Sequence, residues 1–265
     1  MLMVLSPAKK LDFAPTLAGL SLTLPELRAD TAELAQITRN LRRADLKRLM
    51  SISDALADLN YQRFQSFDAQ SEEGLQAVMA FAGDVYDGLQ ARTLDKKALA
   101  WAQAHLRILS GLYGVLRPLD ALQPYRLEMG TRLKTRRGAS LYDFWRQPIA
   151  ETLSRDAERL PDPTLVCLAS AEYFGSVDTE ALSVPHLTCH FKEYRSKGEG
   201  PRAMMLYAKR ARGLMARYAI EHRIERAEEL KAFDVAGYAF DRTLSSTADW
   251  VFTRLQPPPK IPREG

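Results

Sequence analysis

A change of periodicity near Ala104 constrains this chain more than any other feature. Before it, apolar residues recur at helical spacing. Leu27, Leu34, Ile37 and Leu41 form one stripe, and Pro25 occupies a first-turn position where its missing N–H costs little. Breaks near Ser51, Ser71, Gly83 and Thr93 divide the region into short helices. After it, the short apolar runs Leu106–Leu109, Leu127–Leu133, Leu165–Ala169, Leu187–Tyr194 and Ala203–Ala208 predict strands. Met1–Leu5 predicts one further buried strand, stopped by Ser6-Pro7, and Trp250–Leu255 a closing one. Tyr142–Leu153 is expected to be a helix bent near Pro148, with further helices at Lys209–His222 and Glu225–Phe233. Lys197-Gly-Glu-Gly-Pro201 is expected to turn a hairpin between two strands. Helices and strands do not alternate in parallel-sheet units, and there is no linker or internal repeat. The expected architecture is a single α+β domain over residues 1–255, a mixed β-sheet surrounded by helices with a helical N-terminal region. Residues 256–265 carry four prolines and are expected to be a loose tail.

Composition narrows the class. Apolar residues make up 46% and charged residues 26% of the 265, enough for a packed core and too apolar for global disorder. Cys167 and Cys189 are the two cysteines, which excludes a disulfide framework and fits a reducing compartment. The apolar run at the start is too short for a secretory core, and no stretch approaches the roughly 18 apolar residues of a membrane helix. A cytoplasmic protein with no membrane partner is expected.

The net charge of +4 hides a strong asymmetry. Arg39–Arg48 has five basic residues against one acidic, Arg107–Arg137 seven against two, and Lys192–Arg217 eight against two. Together these segments carry +15, which leaves −11 on the rest. Segments of this kind, brought onto one face, would neutralise phosphates. On Lys209–His222 the cations Lys209, Arg210, Arg212 and Arg217 fall opposite the apolar Ala211, Leu214, Met215 and Tyr218, which also suits an ordinary solvated helix face.

Four local patterns carry possible chemistry. Leu49-Met-Ser51-Ile52-Ser53-Asp-Ala-Leu-Ala57 has the apolar spacing of a helix-hairpin-helix element, with Lys47 and Arg48 just before it. Such a turn aims backbone N–H groups at a phosphate. Serines stand where glycines are usual, so Ser53 is the natural helix cap and Ser51 must resist a positive φ. Ser110-Gly-Leu-Tyr-Gly-Val-Leu-Arg-Pro118 has two glycines three apart, matching neither a P-loop nor a dinucleotide fingerprint. In Pro124-Tyr-Arg126-Leu-Glu128-Met-Gly130, Arg126 and Glu128 share a face if the segment is extended, as a structural ion pair or an oriented catalytic carboxylate. His186, Cys189 and His190 lie on one expected strand, where Cys189 points away from the two histidines, so no metal site is expected. Cys167 lies in an apolar run and is expected in the core. No cofactor pattern and no Gly-x-Ser-x-Gly elbow is present.

Several of these segments resemble one family. Ser6-Pro-Ala-Lys-Lys-Leu-Asp-Phe13, Ile108–Asp120, Pro124–Gly130, Leu168-Ala-Ser-Ala-Glu-Tyr173 and Ala208–Tyr218 look like the YaaA family of bacterial peroxide-stress proteins, in order and over nearly the whole chain. The resemblance implies a cytoplasmic protein that limits iron-driven oxidative damage. It implies a distinct single-domain α+β fold with a basic cleft and a helix-hairpin-helix element, and binding to duplex or structured DNA. The expected DNA contacts are Lys47, Arg48, Ser51, Ile52 and Ser53 at the hairpin, with Lys9, Arg126, Lys134, Arg136, Arg137, Lys192, Lys209, Arg210 and Arg212 elsewhere. The resemblance establishes no catalytic activity. The alternative is an enzyme on a nucleotide or other phosphate-bearing small molecule, with Glu128 and Glu172 as candidate acid or base and Lys9, Arg126, Lys192 and Lys209 holding phosphate.

Overall fold

The apolar run that begins the chain forms the middle of a sheet. In the computed structural model, which describes residues 1–14, 21–195 and 200–256, Leu2–Leu5 (β1) is buried at every position. A strand covered on both faces loses the polar alternation of a half-exposed one, which is why this run is continuously apolar.

The chain then forms β2 (Lys10–Leu11), α1 (Arg28–Arg39), α2 (Arg43–Met50), α3 (Asp54–Ser66), β3 (Leu75–Gln76), α4 (Ala77–Ala80), β4 (Phe81–Ala82), α5 (Asp84–Leu89) and α6 (Lys96–His105). There follow β5 (Leu106–Ser110), β6 (Gly114–Leu116), β7 (Ala121–Leu122), α7 (Leu141–Glu158), β8 (Leu165–Leu168) and α8 (Ala171–Phe174). The last elements are β9 (His186–Tyr194), α9 (Met205–His222), β10 (Ala239–Phe240) and β11 (Asp249–Leu255).

Seven strands form one mixed sheet in the order β10-β11-β9-β8-β1-β5-β6. The five inner strands are parallel, with β1 flanked by β5 (Leu5 opposite Ile108) and β8 (Leu5 opposite Leu168). Only the rims are antiparallel, β6 against β5 and β10 against β11. The expected mixed sheet with surrounding helices is therefore present, and its centre is parallel.

Helix α9 lies against β9 and crosses α5 at very short range. A β-carbon at Gly213 would stand 1.8 Å from the Val85 carbonyl oxygen, and one at Gly88 would stand 2.2 Å from that of Arg210. Glycine is what lets the two backbones touch. Helix α7 contains Pro148 and is capped reciprocally by Ser140 and Asp143, as the sequence around it suggests.

Three local expectations need correction. Residues 127–133 form no strand, although Leu127, Met129, Thr131 and Leu133 all turn inward. The alternation is real, but no neighbouring chain completes a ladder with it. Ala203–Ala208 is not a strand either, because α9 already begins at Met205, and Met205 and Leu206 are exposed. The return chain meets β9 only at the antiparallel bridge between Glu193 and Arg202. Glu225–Phe233 is a 3₁₀ segment at Ala227–Ala232. The hairpin residues Lys197, Gly198 and Glu199, and the tail beyond Gln256, lie outside the described residues.

Candidate functional site

The carboxyl ends of β1, β5 and β8 open side by side, because β5 and β8 flank β1 on opposite sides. Chains leaving such neighbouring strands diverge and leave a crevice between them. Each strand delivers a hydroxyl there: Ser6 after β1, Ser110 at the end of β5 and Ser170 after β8. Ser6 Oγ accepts the Ser170 N–H at 2.8 Å and donates to Ser170 Oγ at 3.2 Å. Ser110 Oγ accepts the Tyr113 N–H at 3.0 Å and shares a 2.6 Å hydrogen bond with the Tyr125 hydroxyl. The Tyr86 hydroxyl, carried in on α5, donates to the Ser6 carbonyl at 3.1 Å.

The segment 125–130 is laid across these strand ends. Gly111 permits it, since a β-carbon there would meet the Leu127 carbonyl oxygen at 2.2 Å. The segment brings Tyr125, Arg126 and Glu128 over the crevice, where Tyr173 joins them. Glu128 is held between two cations, with Lys9 Nζ 2.6 Å from Oε2 and Arg126 Nη2 2.9 Å from Oε1. The cleft beneath this triad has a volume of about 10 Å³ and is lined by Lys9, Tyr125, Arg126, Glu128 and Tyr173, among others. Glu172 stands at its rim, makes no ion pair among the described residues, and accepts the Gly130 N–H at 3.2 Å.

The phenols Tyr86, Tyr125 and Tyr173 act on one another. Burial raises all three above the ordinary phenol value, and for Tyr173 the nearby Tyr125, Glu172 and Glu128 add to the rise. All three are therefore neutral O–H groups at physiological pH. The Tyr173 hydroxyl donates to no acceptor among the described residues, which leaves it its own proton to donate.

A match to a family model described as "Peroxide stress protein YaaA" extends over residues 1–244. The chain belongs to that family. Its relatives are similar along their full lengths. A UPF0246 protein of Caulobacter vibrioides (strain NA1000 / CB15N) is 65% identical over 257 residues, covering 97% of this chain and 100% of the relative. One from Phenylobacterium zucineum (strain HLK1) is 60% identical over 259 residues, covering 98% and 97%. One from Roseobacter denitrificans (strain ATCC 33942 / OCh 114) is 48% identical over 259 residues, covering 97% and 99%. Four of the five segments that carry the family resemblance, those holding Ser6–Lys9, Ser110–Gly111, Tyr125–Glu128 and Ser170–Tyr173, come together at this cleft.

The expected phosphate-contacting cations divide into two sets. At the two-helix turn, Ser51 is left-handed (φ 51°, ψ 50°) despite its β-carbon, Ile52 is buried, and Ser53 caps α3 by accepting the Leu56 N–H. The Ser51 and Ile52 N–H groups both turn back to the Lys47 carbonyl. The cations here are paired, Lys47 with Asp54 at 2.8 Å and Arg48 with Asp45 at 3.1 Å, while Arg43 meets Asp58. Arg137 is held by Asp30 and Glu33 and stacks on Phe144. Lys9 and Arg126 are held by Glu128. Arg107 leaves the basic surface altogether, since it is 6% exposed and bonded to Asp156 at 2.8 Å.

The second set has no ion pair among the described residues. Lys134 and Arg136 are exposed on the segment after the cleft, Lys192 and Lys209 are half-buried, and Arg210 is exposed. Arg212 is half-buried with its charge near the Cys167 and Cys189 thiols, and burial lowers its pKa. Among the described residues no group of three His, Cys, Asp or Glu side chains is placed to hold a metal ion, and no helix is long and apolar enough to cross a membrane. His190 instead meets Asp249 at 2.7 Å.

Sequence reasoning singled out Lys9, Arg126, Glu128 and Glu172 but missed the hydroxyl floor of Ser6, Tyr86, Ser110, Tyr125, Ser170 and Tyr173. The serines and Tyr125 had a signal, since each follows an apolar run within a resemblance segment. Tyr86 had none, because only the α5–α9 crossing brings it to β1.

Proposed function

We propose that this peroxide-stress family member binds duplex or structured DNA, largely without regard to sequence, and so shields it from iron-driven oxidation. The observation that supports this is the unpaired set of cations. Lys134 and Arg136 project from an extended segment whose alternate residue Leu133 is anchored in the core. Lys192 on β9 and Lys209 and Arg210 on α9 are further cations without an ion pair among the described residues. Cations without carboxylate partners neutralise phosphates without first breaking an ion pair, and the release of counterions drives binding.

The two-helix turn takes a smaller share. Its N–H groups are internally bonded, and Lys47 and Arg48 must leave Asp54 and Asp45 to reach a phosphate. Fluorescence anisotropy with a labelled duplex across a potassium chloride series tests the reading. Log affinity is expected to fall with log salt at about 0.9 per phosphate contacted, and Lys134→Glu/Arg136→Glu is expected to flatten the slope by about two contacts. Lys47→Glu/Arg48→Glu is expected to do less. A salt-independent affinity, or an unchanged Lys134→Glu/Arg136→Glu variant, would overturn it.

A further inference from the structure

The cleft at the ends of β1, β5 and β8 differs from the DNA-facing cations in kind. It is narrow, buried beneath an ion triad and floored by hydroxyls rather than open to a polymer. Its hydrogen-bonding capacity is also one-sided. Ser170 Oγ accepts from the Ser6 hydroxyl and lies 3.5 Å from the Tyr173 N–H, so its own proton is uncommitted. The Tyr173 hydroxyl lines the cleft and donates to no acceptor among the described residues, so it keeps a proton to give. Lys9 and Arg126 are cations with further N–H groups beyond those bonded to Glu128. The uncommitted groups are therefore donors, and the acceptor that meets the cations is the chain's own Glu128.

We propose that this cleft binds the phosphate group of a small molecule, and that Glu128 occupies the place of that phosphate when the site is empty of ligand. A terminal phosphate has three oxygens to share among Lys9, Arg126 and Tyr173, whereas a carboxylate has two. With the triad closed, the cleft of about 10 Å³ has room for at most about one water molecule. Entry requires one wall to move, and Lys9 is that wall, since its side chain is 63% exposed while that of Arg126 is 18% exposed. The ligand displaces the Glu128 carboxylate from the two cations, and Glu172 at the rim remains the nearer unpaired carboxylate. The site lies at the strand ends where open parallel sheets hold ligands.

The test uses inorganic phosphate and adenosine monophosphate as separate probes, by calorimetry and phosphorus NMR, at ionic strength held constant with potassium chloride. Saturable binding of either probe is expected. A response to both marks a bare phosphate site, and a response to the nucleotide alone marks a site that also grips what the phosphate is attached to. Glu128→Gln is expected to tighten binding by about tenfold, because the competing anion is gone. A triad that serves only to hold the fold would not produce a gain. Tyr173→Phe, which leaves the triad intact and folds independently of that change, is expected to weaken binding by about tenfold. The proposal is overturned if neither probe binds the parent or Glu128→Gln, or if folded Tyr173→Phe binds as the parent does. Lys134→Glu/Arg136→Glu is expected to keep phosphate binding while weakening DNA binding, so the two readings fail separately.

Discussion

Replacing Gly213 by alanine tests the close backbone approach of α9 to α5. The added carbon would lie 1.8 Å from the Val85 carbonyl oxygen and 2.8 Å from the Leu89 nitrogen. Both obstacles are backbone, so no rotamer change relieves them. Restoring ordinary contact needs α5 and α9 to part by more than 1 Å, on the order of the radial gap that forfeits a quarter to a half of a dispersion contact. Val85, Leu89 and Ala211 are buried at or beside this crossing. Two large apolar side chains, each worth about 1.5–3 kcal/mol when buried, would lose about 1–3 kcal/mol together. Overpacking strain adds about 1–3 kcal/mol, and the better helix propensity of alanine returns about 1 kcal/mol. The expected net loss is about 1–5 kcal/mol. Urea unfolding followed by circular dichroism reads the loss directly, and the melting temperature should fall by roughly 2–4 °C per kcal/mol. Gly200→Ala, where nothing lies within 4 Å, is the control and should change little. A Gly213→Ala protein as stable as the parent would refute the close crossing, and with it the reason Tyr86 reaches Ser6.

Three further outcomes follow from buried groups. Arg107→Met should cost about 3–5 kcal/mol in urea unfolding because Asp156, whose side chain is 5% exposed, loses its closest partner, and Arg107→Met/Asp156→Leu should recover most of it. Burial pushes the Cys167 thiol up to about 11 and raises Cys189 as well, so an aromatic disulfide reagent at pH 8 should label both only after guanidinium unfolding. Fast labelling of the native protein would contradict this. Burial, opposed by its bond to the Met1 carbonyl, holds His105 below 6.5, where it stacks neutral on Trp101. The unfolded chain therefore binds more protons at His105 as pH falls below 6.5, so this residue's contribution to stability should be lost through that window. His105→Asn should remove that dependence.

Much of the fold was legible because burial leaves marks in sequence. Met1–Leu5 and Leu165–Ala169 are continuously apolar where strands are covered on both faces. Ser53 marked a helix start because few residues bond the orphan N–H groups there. The misread segments show what such marks omit. Alternation along 127–133 reports which side chains turn inward, and a loop laid over a sheet end alternates as a strand does. The apolar run into Met205 and Leu206 suggested burial, yet both face solvent. Ser51 carries a left-handed turn that composition alone assigns to glycine. Arg107 was counted as surface charge because nothing local distinguishes it from Arg132; only β5 and α7 together bury it against Asp156. The cleft was half legible for a similar reason. Its charged members stood out as residue types, while its hydroxyls became a set only when three strands ended together.

The central position of β1 also sets a timetable for folding. Residues 2–5 are made well before their partners, residues 106–108 and 165–168. At about 5–20 residues per second, the second partner follows on the order of 10–30 seconds later. Until the first partner appears, a wholly apolar strand has neither edge satisfied, and one edge stays open until the second does. Pairing between segments so distant in sequence is also slow once both exist. A wholly apolar strand made this early must be kept from other chains until β5 and then β8 are available to it.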